Sequence, residues 1–441
     1  MSIKTHTFKN GFKYIHQSGG HSLPISTIFL FIRFGSIHEK ESNQKGIAHF
    51  IEHMCFKGTR EHPTSISIIT TYDEIGAFIN AETSKQFTCY KIKCMNQWIE
   101  PCISVLSDIL FHSIFRKNEM KLEQHVVKEE NIRNNDNPTS HIDDMIYKSL
   151  YDETPYSYPV DSIEYPPQQS KDVLEIYRRF YQQQHMGISV VSNMSFDHIG
   201  NILAKTSFVS KNRQIHLSDS IDPPPKIYDS PQYSILKKKG IQATHIGIAF
   251  KTCPHSHTDK YPLLLLKNIL GGYMTSRLFM ILREKNGLTY TSSCQSIHHS
   301  SSGHFEIYTL CDPTKVLKNG NKPGVLPILS TILQDLISKG ITQKELDVAK
   351  GNFQGNHILH LEEGDHKCEY NGIEYILYDN REMVPYERLY DVCLKSVTKE
   401  QVNEVARKYF QPVFMTVCLV GENVPDRRNL RFPLMGLGPH H

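Results

Sequence analysis

Hydrophobic and polar positions along the chain follow two periods in turn, one near two residues and one near 3.6. Ile25 to Phe34 (ISTIFLFIRF) is a run of β-branched and aromatic residues and predicts a largely buried strand. A polar loop, GSIHEKESNQKG, comes next, then GIAHFIEHMCF, apolar at helical spacing, with Gly58 and Pro63 placed to stop that helix. Upstream, FKNGFKYI reads as a hairpin or strand start. Downstream, GAFINAETSKQFTCYKIKC reads as a second strand and IEPCISVLSDILFHSIF as a helix. A further helix is predicted from Asn118 to Asn134, ending before the NDNPT turn.

Three successive prolines in HLSDSIDPPPKIYDS mark a linker, placed at residues 216–232. Beyond it the pattern restarts, because HIGIAFKTCPHSHTDKYPLLLLKNIL again gives strand, polar loop and apolar helix. A shift of 216 residues lays Phe34 on Phe250 and Gly46 on Pro262. Two related domains are therefore expected, an N-terminal one at 1–215 and a C-terminal one at 233–441.

Composition sharpens this picture. A length of 441 residues exceeds what one core usually organises, and 39% hydrophobic against 22% charged residues predicts a globular chain. A formal net charge of +3 is too small at this length for a phosphate-tracking surface, so nucleic acid is not an expected partner. The ten cysteines form no CxxC pair and read as reduced, mostly buried thiols. Neither a secretory signal nor a membrane span is recognised, so the chain is expected to be soluble and intracellular, in the cytoplasm first. The lack of any acidic residue before Glu39, a bias shared with mitochondrial presequences, leaves a mitochondrial location open.

The candidate chemistry lies on the first predicted helix. His49 and His53, four residues apart, share one helix face and offer two imidazole nitrogens to one ion, and Glu52 lies on the same edge. Catalytic zinc takes three protein ligands and a water, and a carboxylate beside it serves as base for that water. His-x-x-Glu-His is the inverse of the commoner His-Glu-x-x-His metallopeptidase motif. In the second half the same register holds Leu265, Asn268 and Ile269, none suited to a zinc site, so one half alone is expected to carry the chemistry.

With its surroundings, GIAHFIEHMCFKGTREHPT resembles the active-site helix of the pitrilysin or insulinase family of zinc metallopeptidases, the inverzincins, and the similarity spans most of the chain. The resemblance implies an α+β fold of two similar domains, each a mainly antiparallel sheet covered by helices, facing each other across a peptide-binding chamber. It implies one Zn2+ per chain, held by His49, His53 and a glutamate on a later helix. HVVKEEN supplies Glu129, with 75 residues between it and His53, and Glu130 is the neighbouring alternative. Many members carry an acidic residue seven positions before that glutamate. Counted from Glu129 this position is Leu122, with Glu119 or Glu123 as substitutes.

The resemblance also implies that FINAETS, with Asn80 and Ala81, is a strand that takes peptide substrate onto its sheet edge. In GGYMTSRLFMILREKNGLTYTSS it matches Arg283 and Tyr290 to an arginine and a tyrosine that stabilise the oxyanion from the non-catalytic domain. The implied activity is zinc-dependent endopeptidase action on peptides or unfolded segments, with Glu52 as general base. The family also contains non-catalytic assembly subunits and paired enzymes, so a homodimer or a heterodimer with a related subunit is compatible with it. Inactive members have usually lost one or more ligands, which this sequence retains.

Overall fold

A computed structural model describes residues 3–19, 23–39, 45–152, 154–161, 170–210, 230–430 and 432. Up to the expected linker the strands are β1 (Ile3–Thr7), β2 (Lys13–Gln17), β3 (Ile25–Ile32), β4 (Phe78–Thr83), β5 (Thr88–Met95) and β6 (Met186–Ser192). Among them run α1 (Ile47–Cys55), α2 (Ser65–Asp73), α3 (Ile99–Phe111), α4 (Lys117–Asn135), α5 (Pro138–Leu150), α6 (Ser170–Phe180) and, last, α7 (Phe196–Ala204). Later come β7 (Gln232–Lys237), β8 (Thr244–Thr252), β9 (Thr289–His298), β10 (Gly303–Cys311), a two-residue hairpin β11–β12 (Lys318–Asn319, Lys322–Pro323) and β13 (Met415–Gly421). Their helices are α8 (Lys260–Gly271), α9 (Val325–Lys339), α10 (Gln343–His360), α11 (Gly364–Asn371) and α12 (Lys399–Tyr409). Of the expected linker, residues 216–229 lie outside the described residues, and its last position, Gln232, opens β7.

The two large sheets share one topology. In the first the order is β1-β2-β6-β3-β5-β4, and in the second β7-β13-β8-β10-β9. The pairs β2/β6 and β7/β13 are parallel and every other neighbouring pair is antiparallel. Strand for strand, β7, β8, β9, β10 and β13 repeat β2, β3, β4, β5 and β6. This is the duplication expected from the pattern, and the fold is the expected α+β pair of similar domains.

The stretch read as one strand, GAFINAETSKQFTCYKIKC, is a hairpin instead. Ser84 breaks it: its backbone N–H donates to Phe87 O at 2.8 Å, and its Oγ accepts from Phe87 N at 3.2 Å. A serine that satisfies the turn's backbone locally competes with continued pairing, which the alternation of the flanks conceals.

Strand β3 shows why its sequence is apolar throughout. Ile28, Leu30 and Ile32 join Phe50, Ile51 and Met54 of α1 and Ile103 and Leu106 of α3 in one core. The alternate residues Phe29 and Phe31 join Cys368, Tyr375 and Ile376 on the other face. A strand covered on both faces has no polar side to show.

That second cover comes from far along the chain. Contacts divide the protein into two compact units, one of Met1–Ile132, Tyr158–Asp219 and Ile358–Arg388, the other of Arg133–Ser157, Ser220–His357 and Leu389–His441. This differs from the two continuous domains expected at 1–215 and 233–441. Segment 358–388, carrying α11, backs the first sheet, with Cys368 Sγ 3.2 Å from Thr27 O and Asn371 Nδ2 2.6 Å from Gln17 Oε1. In return α5 backs the second sheet, where Ser149 Oγ lies 2.6 Å from Thr416 Oγ1 and Tyr151 OH 3.0 Å from His304 Nδ1. The approach of α5 is close enough to demand glycine at Gly247 of β8, since a Cβ there would meet Ile142 at 2.5 Å.

Candidate metal centre

Helix α1 buries Ile47, Ala48, Phe50, Ile51, Met54 and Cys55, which aligns it on the first sheet and turns the edge bearing His49, Glu52 and His53 toward α4. Past its end the chain reverses at Gly58, whose φ of +121° and closeness to Pro63 O exclude a side chain. Asp108 of α3 fixes that loop, because it accepts from Thr59 Oγ1 and lies 3.0 Å from both His62 Nδ1 and His112 Nδ1.

His49 Nε2 and His53 Nε2 stand 3.1 Å apart. Glu130 of α4 brings Oε2 to 3.7 Å from the first and 3.5 Å from the second. Among the described residues this trio is one of two groups whose donor atoms converge closely enough for an ion; the other is Glu61, His62 and Asp108, whose His62 and Asp108 already bond each other. On its far side His53 Nδ1 meets Glu123 Oε1 at 2.8 Å, and Glu123 Oε2 meets Lys57 Nζ at 2.5 Å. A carboxylate on Nδ1 fixes the proton there and leaves the Nε2 lone pair facing His49 and Glu130, as a metal-binding imidazole requires. The donor set, two imidazole nitrogens and a carboxylate on two helices, fits zinc.

The structure thus brings Glu130, and not the expected Glu129, to the two imidazoles. Glu129 is exposed, about 100° around α4 from its successor. The inward face of α4 is marked by Met120, Glu123 and Val127, with Glu130 half-buried next along it. Beside His53 the structure likewise places Glu123, one of the two substitutes named for Leu122, and not Leu122 itself. Leu122 is 60% exposed, while Glu123, seven residues before Glu130, is buried and bonded to His53.

Glu52 is buried, and its Oε2 accepts from Thr83 Oγ1 of β4 at 2.6 Å. Burial pushes its carboxyl up to about 7, against the opposing effects of the Thr83 bond and of His53. The two imidazoles diverge: burial and then His53 lower His49, whereas His53 is raised because Glu123, Glu52 and Glu130 together outweigh its burial. Glu123 remains below the usual carboxylate range although burial opposes this, since His53 and Lys57 both bond it.

Asn80 and Ala81 lie on β4, the outer strand of the first sheet, opposite Lys91 and Tyr90 of β5. Asn80 is exposed and its Oδ1 accepts from the Ala81 N–H at 2.9 Å. In the second unit, Arg283 and Tyr290 are brought together. The guanidinium lies 4.7 Å from the ring centroid of Tyr290 and donates to its carbonyl at 3.2 Å, and the ring is 76% exposed. Sequence reasoning missed Thr83 and Lys57. Thr83 follows FINAE at the end of β4 and nothing local signals its hydroxyl. Lys57 lies four residues past His53, a spacing that could have suggested a shared partner.

The sequence pattern described as insulinase (peptidase family M16) matches residues 18–162, and that of the peptidase M16 inactive domain matches residues 169–353. An uncharacterized zinc protease of Bacillus subtilis, YmxG, is 31% identical over 420 residues, 92% of this chain and 96% of that one. The chain belongs to the insulinase family of peptidases. Within this insulinase-family chain the inactive-domain match includes α8, the helix that carries Leu265, Asn268 and Ile269. The beta subunit of the bovine mitochondrial-processing peptidase is 24% identical over 433 residues, 95% of this chain and 84% of the subunit. A crystal structure of a protease from Helicobacter pylori shares the fold, with a TM-score of 0.85 at 20% identity over 95% of this chain and 99% of that one. Among the described residues no helix is long and apolar enough to cross a membrane.

Proposed function

We propose that this chain is a zinc-dependent endopeptidase acting on peptides or unfolded polypeptide segments. The observation that carries this reading is the convergence of His49 Nε2, His53 Nε2 and Glu130 Oε2 beside the buried carboxylate of Glu52. His49, His53 and Glu130 would hold the zinc, which when bound supplies Lewis acidity that polarises a carbonyl and eases the ionisation of water. Glu52 takes the proton of the attacking water and delivers it to the leaving amine, with Thr83 fixing one oxygen so that the other is free to move the proton.

The open edge of β4 suits an extended substrate, since added main-chain hydrogen bonds hold a peptide with little demand on its sequence. Asn80 and Ala81 are assigned to that edge. Arg283 and Tyr290 are assigned to stabilising the oxyanion, a role supported by their mutual stacking and by the exposure of the phenol. The family's processing peptidases suggest a related subunit or a second copy as partner. The reading is tested by incubating the purified chain with a quenched fluorescent peptide library before and after chelation. Cleavage abolished by the chelator and restored by one equivalent of zinc supports it. A chain that holds zinc and cleaves nothing, alone or with a related subunit, favours a non-catalytic peptide-binding or assembly role.

A further inference from the structure

Glu39 lies midway between β3 and α1, directly after the short 3-10 turn Ser36–His38, and its side chain is completely buried. A buried carboxylate needs strong donors. Its Oε2 accepts from the Gly46 N–H at 2.8 Å and its Oε1 from the Ala48 N–H at 2.9 Å. These are among the donors that the first turn of a helix leaves without an intrahelical acceptor. Among the described residues the helix has no capping side chain of its own: its N-cap residue is Gly46, held at a φ of +82°, and its first turn contains no acidic residue. One distant carboxyl group thus takes over the work of a capping side chain, each of its oxygens accepting from one amide of the helix start.

The loop that carries Glu39 is itself anchored. Ser36 N donates to Ser84 O at 3.2 Å and Ile37 N to Lys85 O at 3.0 Å, so the loop is bonded to the turn between β4 and β5. Gly35 permits this approach, because a Cβ there would lie 2.4 Å from Ser84 O. A continuous path therefore runs from the start of α1 through Glu39 to the β4–β5 turn. It returns from the last residue of β4 through Thr83 to Glu52. His49 follows Ala48 directly.

We propose that Glu39 is a positioning residue, whose carboxylate locks the start of the helix bearing His49, Glu52 and His53 to the sheet edge beside which those residues act. Burial pushes the Glu39 carboxyl up to about 8 against the lowering effect of the Ala48, Gly46 and Ile47 amides and the Lys85 charge, so the clamp has been built at an electrostatic cost. The inference rests on the zinc-peptidase reading for the identity of what is positioned.

The test compares Glu39→Gln, which keeps the shape but presents a donor to one of the two amides, and Glu39→Asp, which keeps the carboxyl group but is one methylene shorter. Thr398→Val, which removes the capping threonine of α12, is the control for loss of a helix cap elsewhere. Zinc affinity is read by chelator competition, stability by thermal unfolding of the zinc-free protein, and kcat and KM at saturating zinc. Glu39→Gln is expected to bind zinc about tenfold more weakly and to lose about tenfold in kcat with KM within twofold, Glu39→Asp to fall between it and the wild type, and Thr398→Val to lose only stability. If Glu39→Gln loses stability while zinc affinity and kcat match the wild type, the carboxylate is an ordinary cap and the proposal is overturned. Hydrogen exchange in the wild type judges the clamp even if the variants do not fold: protected Gly46 and Ala48 amides are expected, and freely exchanging ones contradict it. A wild type that binds no zinc overturns the peptidase reading separately, with the clamp still decided by the amide exchange.

Discussion

Glu123 Oε1 lies 2.8 Å from His53 Nδ1, and the seven residues from Glu123 to Glu130 carry α4 through two turns, from the outer to the inner side of the same imidazole. The candidate metal centre is therefore a two-helix device in which α4 both orients a histidine and supplies a carboxylate.

Glu130→Gln and Glu129→Gln separate the two neighbours. Removing the Glu130 charge should weaken zinc binding by at least tenfold and abolish cleavage, while Glu129→Gln, on the exposed face, should match the wild type. Zinc titration of the two variants decides the assignment, and the reverse ranking would restore Glu129.

Glu123→Gln should reduce zinc affinity by about 10- to 100-fold, the usual effect of losing a group that orients a ligand. It leaves Lys57 without its buried ion-pair partner as well, so a fall in thermal stability should accompany it. Unchanged affinity would mean that the Glu123 bond does not set the orientation of His53.

Thr83→Val deletes the hydroxyl that bonds Glu52 Oε2 and nearly preserves volume. A hydrogen bond to a charged group contributes about 1.5–3 kcal/mol, so kcat should fall by about tenfold or more with zinc content unchanged. Steady-state kinetics alongside metal analysis checks both halves of this expectation.

Glu306, buried on β10, is pushed up to about 8 by its burial and then by the charge of Asp143. Its folded value exceeds its ordinary value of 4.5, so between the two the native state binds the extra proton and stability must fall as pH rises from about 4.5 to about 8. Glu306→Gln should flatten that decline, the gap in unfolding free energy between variant and wild type widening by at most about 1.4 kcal/mol per pH unit. Parallel curves from urea unfolding at pH 5 and pH 8 would show that Glu306 does not carry the effect.

Much of this architecture is written in local pattern. The span of α1, the stop at Gly58, the extent of α4 and the repeat of strand and helix after the linker follow from apolar spacing and turn residues, which depend only on near neighbours. The hairpin turn at Ser84 was hidden because both flanks alternate in the same sense. The exchange of α5 and α11 between the units was hidden because a helix face shows that it is buried but not against what. The choice between Glu129 and Glu130 was within reach. Met120 and Val127, seven apart, mark the inward face of α4, and Glu123 and Glu130 share that face while Glu129 does not. Glu39 and Thr83 carry no such signal, since their partners lie on other elements.

The most direct test of the zinc-peptidase account measures zinc content and peptide cleavage together in the wild type and in Glu52→Gln, which removes the base and leaves the metal ligands. About one zinc per chain in both proteins, with cleavage by the wild type and a loss of several orders of magnitude in kcat for the variant, is the predicted result. A wild type that binds no zinc, or a variant that retains full activity, would contradict it.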